Sequence, residues 1–353
     1  MIRVLVVDDS VVVRRAIAQG LSTAGGIEVV GMAADPYEAR ERIAELNPDV
    51  ITLDIDMPRM DGLTFLEKLM QHHPTRVVIV SSLSKEGSEI ALRALSLGAV
   101  DVVAKPSSQF SVPDVVGRLA NAVRAAALAN VRAAAGASNH ASSQSSQPKA
   151  LSAIGKLVCI GSSTGGTRAL EAILPALPAD SPPIVVVQHM PAMFTTSFAE
   201  RLNGYCAMQV AEATDGTALA VGRVLIAPGG RHLQLERRGG RFYVRLTDDA
   251  AVNHFRPSVD VFFNSVARCA KSNALAIILT GMGCDGAEGM SAMRAAGSRT
   301  IAQDEHTSVV FGMPKAAIDR GAAESVLPLE RISSAILDFA AAQARGAVQE
   351  QSM

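Results

Sequence analysis

Short β-branched runs alternate with helix-period segments along the chain, and this alternation restricts the fold more than any other feature of the sequence. In the first half the runs are Ile2–Val7, Ile27–Met32, Asp49–Ile55, Arg76–Ser82 and Val100–Lys105. Near-continuous apolar strands indicate a parallel sheet that helices cover on both faces. Five consecutive βα units therefore predict a doubly wound (βα)5 domain, with its ligand site at the carboxyl ends of the strands.

The alternation stops at a polar segment and then resumes. Residues 136–152 are rich in Ser, Ala and Gln and have no periodic apolar face, which indicates a flexible linker. An apolar–polar alternation on both sides of Gly239-Gly240 predicts an inserted hairpin. Other strands of the second half are predicted at Lys156–Gly161, Ile184–His189, Met208–Glu212, Arg223–Ala227, Leu275–Thr280 and Thr300–Gln303.

We therefore predict an α/β protein with two doubly wound parallel-sheet domains. The expected divisions are a first domain over residues 1–135, a linker over 136–153, a second α/β domain with an inserted hairpin over 154–345, and a tail over 346–353. For a chain of 353 residues, two domains agree with a usual domain size of roughly 150 residues.

The composition argues against several classes of function. Lys and Arg number 33 against 34 Asp and Glu, and the resulting net charge of −1 gives no field of one sign for a general nucleic-acid or anionic-membrane binder. The four cysteines have no CxxC or close Cys/His spacing, so we expect neither a zinc site nor a disulfide scaffold. No apolar run reaches about 18 residues, so a cytoplasmic protein without membrane insertion is expected.

Acidic side chains follow two strands of the first predicted sheet, and a lysine follows a third. Asp8 and Asp9 come after the first strand, Asp54 lies where the third strand ends and Lys105 where the fifth ends, while Ser81 (or its neighbour) adds a hydroxyl at the end of the fourth. Carboxylates that cluster repel one another unless a hard cation neutralises them, and Mg²⁺ prefers such oxygen ligands. The pattern therefore predicts a magnesium-dependent site at the carboxyl edge of this sheet.

Each of these features also has an ordinary structural explanation. Asp8-Asp9-Ser10 has the composition of a helix N-cap, and Lys105-Pro106 that of a simple turn. Their joint occurrence at four strand ends of one βα array favours the site.

A glycine-rich turn follows the first strand of the second half. The segment Gly161–Gly165 reads G-x-S-x-G between a strand and a helix, the arrangement that exposes a nucleophilic serine above a sheet. The following helix N-terminus directs N–H groups toward negative charge, which serves an oxyanion or a bound phosphate equally well. On this motif alone, a nucleophile, a phosphate loop and a plain tight turn all remain open.

A histidine and an aspartate at strand ends favour the nucleophile. His189 ends the strand that follows the serine's own strand, where a general base belongs, although a capping or core histidine is the common alternative. Asp285 follows an apolar strand and could orient that imidazole, or could merely cap the next helix. The order Ser, His, Asp differs from that of the α/β-hydrolases.

The first half resembles the receiver domains of two-component response regulators. The segments that carry the resemblance are VVDDS (Val6–Ser10), LDIDMPRMDG (Leu53–Gly62), VSS (Val80–Ser82) and AKP (Ala104–Pro106).

This resemblance implies a phosphoryl site with defined roles. Asp54 would be the phospho-acceptor and would hold Mg²⁺ together with Asp8 and Asp9. Lys105 would pair with the phosphoryl group, and Ser81 would be the switch hydroxyl. The position three residues before the lysine, where many receivers carry a switch aromatic, is a valine in this chain.

The second half resembles the catalytic domain of chemotaxis protein-glutamate methylesterases, which are also protein-glutamine deamidases. The carriers are IGSSTGGT (Ile160–Thr167), VVQHM (Val186–Met190), IAPGGRH (Ile226–His232), RPSVD (Arg256–Asp260), LTGMGCDG (Leu279–Gly286) and GMPKAA (Gly312–Ala317). The resemblance implies the triad Ser163, His189 and Asp285, with the N–H of Met282 in the oxyanion hole and Thr164 supporting it.

The two resemblances together imply a phosphorylation-regulated serine hydrolase of sensory adaptation. Its substrates would be glutamate methyl esters and glutamines of methyl-accepting chemotaxis receptors. Its phosphoryl donor would be the chemotaxis histidine kinase. The hydrolase site would need no cofactor. The alternative is a non-catalytic adaptor that binds a phosphorylated ligand through the Gly/Ser loop. A DNA-binding output domain is not expected, because no basic patch or helix-turn-helix pattern follows the first domain.

Overall fold

The computed structural model describes residues 1–82, 84–105, 112–130 and 155–342. The predicted linker over 136–153, the predicted tail over 346–353 and Pro106 lie outside these residues. The prediction of an α/β protein with two doubly wound parallel sheets is confirmed. No helix among the described residues has both the length and the apolar character needed to cross a lipid bilayer.

The N-terminal unit is a five-stranded parallel sheet in the order β2-β1-β3-β4-β5. Its elements are β1 (Ile2–Val7), α1 (Val11–Thr23), β2 (Ile27–Ala33), α2 (Pro36–Leu46), β3 (Val50–Asp54), α3 (Gly62–His72), β4 (Arg76–Ser81), α4 (Lys85–Leu97), β5 (Asp101–Ala104) and α5 (Val112–Leu128). Strand β3 is buried along its whole length, as expected for a strand covered on both faces. Because β1 and β3 are parallel neighbours, the residues that follow them meet at one edge of the sheet.

The C-terminal unit contains a seven-stranded parallel sheet in the order β14-β13-β12-β6-β7-β9-β8, with β6 at its centre. Its strands are β6 (Leu157–Ser162), β7 (Ile184–Gln188), β8 (Gln209–Glu212), β9 (Arg223–Ile226), β10 (His232–Arg238), β11 (Arg241–Thr247), β12 (Ala274–Ile278), β13 (Arg299–Gln303) and β14 (Ser325–Leu327). Its α-helices are α6 (Gly166–Ile173), α7 (Ala192–Asn203), α8 (Val259–Cys269), α9 (Ala287–Ala295), α10 (Met313–Asp319) and α11 (Leu329–Ala341). Strands β10 and β11 form the antiparallel hairpin predicted around Gly239-Gly240.

The predicted strands agree with the structure to within one or two residues, but β14 is not among them. In the second half, the sequence pattern predicts helices near Arg168–Leu177, Thr195–Leu202 and Glu330–Ala344 and one that starts at Asp285, but neither α8 nor α10. Strand β14 has three residues and no buried side chain, so it gives no apolar run. Helix α8 begins after Ser258, whose hydroxyl accepts a hydrogen bond from the N–H of Val261 as an N-cap. The omission of α8 matters because its first turn forms part of the site described below.

The two units pack against each other through α4 and α7. Apolar side chains of both helices, including Leu95 and Phe198, belong to one buried cluster. Polar contacts surround it: Arg201 donates to Glu171 at 2.8 Å and to the hydroxyl of Ser96 at 2.9 Å. This packing places β5 of the N-terminal unit against the carboxyl edge of the second sheet.

Candidate active site

The turn after β6 places Ser163 at the carboxyl edge of the sheet and at the start of α6. Gly165 has φ of +79°, and a Cβ added there would lie 2.6 Å from Cβ of Val309. A Cβ at Gly166 would lie 2.2 Å from Oε1 of Gln188. The glycines of the motif are therefore required by close packing as well as by backbone conformation.

The environments of the two adjacent serines distinguish their roles. Ser162 is fully buried, and its hydroxyl donates to Oε1 of Gln188 at 2.6 Å. The amide of Gln188 in turn donates to the carbonyl of Ser163 at 2.9 Å. The hydroxyl of Ser163 makes no hydrogen bond within the described part of the chain, and Ser163 lines a cavity together with His189. Ser163 is therefore the serine whose hydroxyl is free to react.

The ring of His189 contacts the carboxylate of Asp285 through one nitrogen and leaves the other free. Nε2 lies 2.9 Å from Oδ2 of Asp285. Nδ1 is buried and has no hydrogen-bond partner among residues 1–82, 84–105, 112–130 and 155–342. Because an ionised carboxylate only accepts hydrogen bonds, it selects the tautomer that carries the proton on Nε2. The lone pair on Nδ1 is then available to accept a proton.

Ser163 and His189 come together because β6 and β7 are parallel neighbours. Ser162 pairs with Gln188 in the register, and the N–H of His189 donates to the carbonyl of Ser162 at 3.1 Å. The described residues show no hydrogen bond between the Ser163 hydroxyl and the imidazole, although both groups line one cavity. Hydrogen bonds between a nucleophile and its general base are often long or poorly aligned before substrate binds.

The carboxylate of Asp285 is held by several donors at the N-terminus of α8. These are Ser258 Oγ and the N–H of Val259, each at 2.7 Å, Asn253 Nδ2 at 3.0 Å and the N–H of Asp260 at 3.3 Å. Burial alone would raise the pKa of Asp285, but the hydrogen bonds from His189, Asn253 and Ser258 lower it to about 2. The carboxylate is thus ionised and fixed in orientation.

The structure does not support the alternative that Asp285 caps the following helix. Gly286, with φ of +93°, occupies the N-cap position of α9 and makes no side-chain cap bond. The side chain of Asp285 instead crosses to α8 and to His189.

A second carboxylate lies directly behind the first. Asp260 accepts from the N–H of Gly289 at 2.7 Å and from Nδ2 of Asn253 at 2.9 Å. Burial raises the pKa of Asp260 to about 6, and the neighbouring charge of Asp285 acts in the same direction. A single asparagine amide therefore contacts both carboxylates.

The loop around Met282 provides a candidate oxyanion donor. A Cβ added at Gly281 would lie 2.7 Å from Cβ of Ser163, so this loop passes directly beside the serine. The N–H of Gly281 donates a hydrogen bond to the carbonyl of Val310. The N–H of Met282 has no acceptor in the described part of the chain. The free N–H is consistent with the predicted role of Met282.

The N-terminal unit covers this site. The hydroxyl of Thr164 donates to Oδ2 of Asp101 at 2.7 Å, and burial raises the pKa of Asp101. Leu95 and Val102 also line the cavity that contains Ser163. Its volume of about 20 Å³ has room for roughly one water molecule. A protein substrate cannot enter it in this arrangement.

The predicted phosphoryl site is assembled at the carboxyl edge of the first sheet. One oxygen each of Asp8, Asp9 and Asp54 lies within 4.8 Å of the others. Nζ of Lys105 lies 2.6 Å from Oδ2 of Asp54 and 3.6 Å from Oδ2 of Asp8. The latter oxygen is buried and lacks a hydrogen-bond partner among the described residues, so three carboxylates with a free oxygen fit a magnesium ion.

The charges of this cluster perturb one another. Burial raises the pKa of Asp54 to about 6 although the ammonium of Lys105 opposes the change. Burial would lower the pKa of Lys105, but the carboxylates of Asp54 and Asp8 outweigh it and raise that pKa. The hydroxyl of Ser81 donates to the carbonyl of Gly87 at 3.2 Å rather than to Asp54, so its role as a switch hydroxyl stays a prediction.

Sequence reasoning missed several residues of the hydrolase site. Gln188, Ser258 and Asp260 lie within motifs that carry the resemblance, VVQHM and RPSVD, so their positions carried a signal. Asn253 and Asp101 lie in no motif of the chain, and only their contacts in the fold reveal them.

Comparisons with known proteins agree with this geometry. Residues 158–336 match the family model of the CheB methylesterase, and residues 4–116 match that of the response regulator receiver domain. The chain is 53% identical over 340 residues to "Protein-glutamate methylesterase/protein-glutamine glutaminase 4" of Anaeromyxobacter dehalogenans, with 96% of this chain and 95% of the relative covered. It is 50% identical over 337 residues to the enzyme numbered 2 under the same name in Syntrophus aciditrophicus, with 95% and 98% covered.

A solved structure extends the similarity to the fold of the second half. The crystal structure of the Thermotoga maritima CheB methylesterase catalytic domain superposes with a TM-score of 0.51 at 45% identity, and covers 52% of this chain and 98% of that domain. The chain belongs to the CheB methylesterase family and carries the family's catalytic domain behind a response regulator receiver domain.

Proposed function

We propose that Ser163, His189 and Asp285 are the nucleophile, the general base and the orienting carboxylate of this methylesterase and glutaminase. The chain is a hydrolase of chemotaxis adaptation with a receiver domain. The observation that carries the proposal is the bridging position of His189, with Nε2 2.9 Å from Asp285 and the ring beside Ser163 in one cavity. We place the chain in the cytoplasm, acting on the receptors' cytoplasmic helices.

In the proposed reaction, Nδ1 of His189 takes the hydroxyl proton as Oγ of Ser163 bonds to the carbonyl carbon of a glutamate methyl ester. Asp285 stabilises the imidazolium that forms, and the N–H of Met282 donates to the oxyanion. The proton then passes to the departing methoxide, which leaves as methanol, and water hydrolyses the acyl-enzyme by the same steps. A glutamine side chain follows the same route and releases ammonia. We propose no cofactor in this site.

We further propose that phosphorylation of Asp54 uncovers the site. Asp8, Asp9 and Asp54 would hold Mg²⁺, which neutralises the charge of the incoming phosphoryl group. Lys105 would pair with that group once it is attached. Lys105 directly follows β5, whose first residue is Asp101, so one four-residue strand joins the phosphoryl site to the hydrolase site. A charge change at one end therefore acts on a contact at the other.

The partners and the domain limits are proposed from the same assignment. The phosphoryl donor is the chemotaxis histidine kinase, and the substrates are methyl-accepting chemotaxis receptors. The receiver domain is proposed over residues 1–135, the linker over 136–153 and the catalytic domain over 154–345.

The decisive experiment measures methanol release from methylated receptor membranes with and without acetyl phosphate. Ser163→Ala should lose the release under both conditions, whereas the matched variant Ser162→Ala should retain most of it with lower stability, because only Oε1 of Gln188 loses a partner. Asp54→Ala should keep unstimulated release and lose the stimulation.

Hydrolysis retained by Ser163→Ala would overturn the catalytic assignment. A failure of Ser163 to react with a fluorophosphonate, together with thermal stabilisation by sugar phosphates, would favour the adaptor instead.

A further inference from the structure

A tight turn with unusual backbone conformation lies beside the triad. Val252 and Phe255 exchange two backbone hydrogen bonds, of 3.1 and 2.8 Å. The two residues between them, Asn253 and His254, have φ of +53° and +68°. Two consecutive left-handed residues define a type I′ turn, which normally takes Asn-Gly because glycine adopts this conformation at no steric cost. A histidine at the second position is strained, and such strain concentrates at functional sites.

The first central residue of the turn connects two carboxylates. Nδ2 of Asn253 donates to Oδ1 of Asp285 at 3.0 Å and to Oδ2 of Asp260 at 2.9 Å. An amide nitrogen has two hydrogens, so both are used. Without them, two like charges would face each other across a partly buried gap, and Asp285 would lose a donor that fixes its orientation.

The last residue of the turn contacts the base. The ring of Phe255 stacks on the ring of His189 with centroids 3.7 Å apart and planes inclined by 8°. The stacking fixes the plane of the imidazole, which the single contact with Asp285 leaves free to rotate about its axis. One four-residue turn therefore contacts both the acid and the base of the proposed triad.

We propose that the turn Val252–Phe255 is a positioning element for the hydrolase reaction, in which Asn253 positions Asp285 and Phe255 positions His189. Neither side chain takes part in the bond changes. The proposal rests on the proposed triad and deepens it: the strained conformation is retained because it delivers an amide and an aromatic ring to two members of the triad at once.

The first test replaces Asn253 by glycine in the full chain, activated with acetyl phosphate. Glycine suits the backbone of the turn, so Asn253→Gly removes the amide and leaves the turn. We expect kcat for methanol release to fall about tenfold or more, and KM to stay within about twofold, because a hydrogen bond to a charged group is lost away from the substrate. The matched control is Lys271→Gly, which makes the same kind of change at a left-handed residue outside the turn and should leave kcat unchanged.

The pH profile separates positioning from a general structural role. The charged groups around the amide are Asp285, Asp260, Glu288 and His189. Removing a donor from Asp285 leaves more of its negative charge to stabilise the imidazolium. The acid limb of kcat/KM should therefore move to higher pH in Asn253→Gly by about half a unit. It should move further in Asn253→Asp, which adds a carboxylate, and stay in place in Lys271→Gly. If the glycine variant does not fold, Asn253→Asp carries this test alone.

The second test addresses the aromatic ring. Phe255→Leu should lower kcat several-fold, and Phe255→Tyr should restore it, since tyrosine presents the same ring face. Equal losses in Asn253→Gly and Lys271→Gly, an unshifted acid limb, or a rise in KM alone would overturn the proposal. Hydrolysis by Ser163→Ala would instead overturn the triad itself, so the two failures are distinguishable.

Discussion

Asp101 of the receiver domain accepts a hydrogen bond of 2.7 Å from Thr164, the residue that directly follows the proposed nucleophile Ser163. The contact joins residues 63 positions apart, and Asp101 lines the cavity that also contains His189. A carboxylate from one domain thus lies beside Ser163 and His189 of the other.

Removing this carboxylate should raise the unstimulated activity. A charge-assisted hydrogen bond contributes about 1.5–3 kcal/mol, so Asp101→Ala should increase methanol release without acetyl phosphate by roughly tenfold. Lys85→Ala is the control, because its ion pair with Glu200 at 3.3 Å is exposed on both sides and should change the release less than about twofold. An unchanged unstimulated rate in Asp101→Ala would show that the contact does not hold the domains together.

Replacing the proposed triad acid should remove most of the catalytic rate. In Asp285→Asn the side chain no longer selects the Nε2–H tautomer of His189, so kcat should fall by about 10³–10⁴-fold. The control is Asp319→Asn, which alters an exposed ion pair with Lys315 on α10 and should retain the wild-type kcat. A stability loss in Asp285→Asn without a change in kcat would assign the residue a purely structural role.

Asp54 should destabilise the fold at neutral pH when no cation is bound. Its pKa of about 6 in the folded chain exceeds the ordinary value of 3.8, so the folded state binds the proton more tightly and stability falls as pH rises between these values. Asp54→Asn, which resembles the protonated acid, should therefore raise the free energy of unfolding at pH above about 6 by roughly 1–3 kcal/mol, a figure that already includes the lost pairing with Lys105. The gain should shrink as pH falls toward the ordinary value. Urea titrations in EDTA at several pH values measure it, and a gain that is equal at all pH values would contradict the assignment.

Removing divalent cations should affect the phosphoryl site but not the hydrolase site. If Asp8, Asp9 and Asp54 hold Mg²⁺, EDTA should abolish stimulation by acetyl phosphate and leave unstimulated methanol release unchanged. Asp8→Asn should reproduce this loss in excess Mg²⁺. Unstimulated release that disappears in EDTA and returns with Mg²⁺ would place a metal requirement in the hydrolase site, against the proposal.

Much of the architecture follows from local pattern alone. Alternating apolar runs and helical periods predict parallel sheets, and the residues after β1, β3, β6 and β7 must then lie at carboxyl edges, as Asp54 and Ser163 do. Backbone conformation and burial are set largely by neighbours in the chain, so strands, the hairpin and the glycine turn were predictable. The motifs also drew attention to Ser163, His189 and Asp285, whose proposed roles await the experiments above.

The tertiary structure alone decided which groups those side chains meet. The structure pairs Nε2 of His189 with Asp285 and sets that carboxylate at the N-terminus of α8. These contacts, with that between Asn253 and Asp285 and that between Asp101 and Thr164, join residues from 26 to 96 positions apart. Such pairings depend on how the folded helices and strands pack against one another, and that packing is determined by the sum of many weak contacts. A local sequence pattern cannot predict this packing. The polarity of a side chain indicates that it needs a hydrogen-bond partner, but not which residue of the chain provides it.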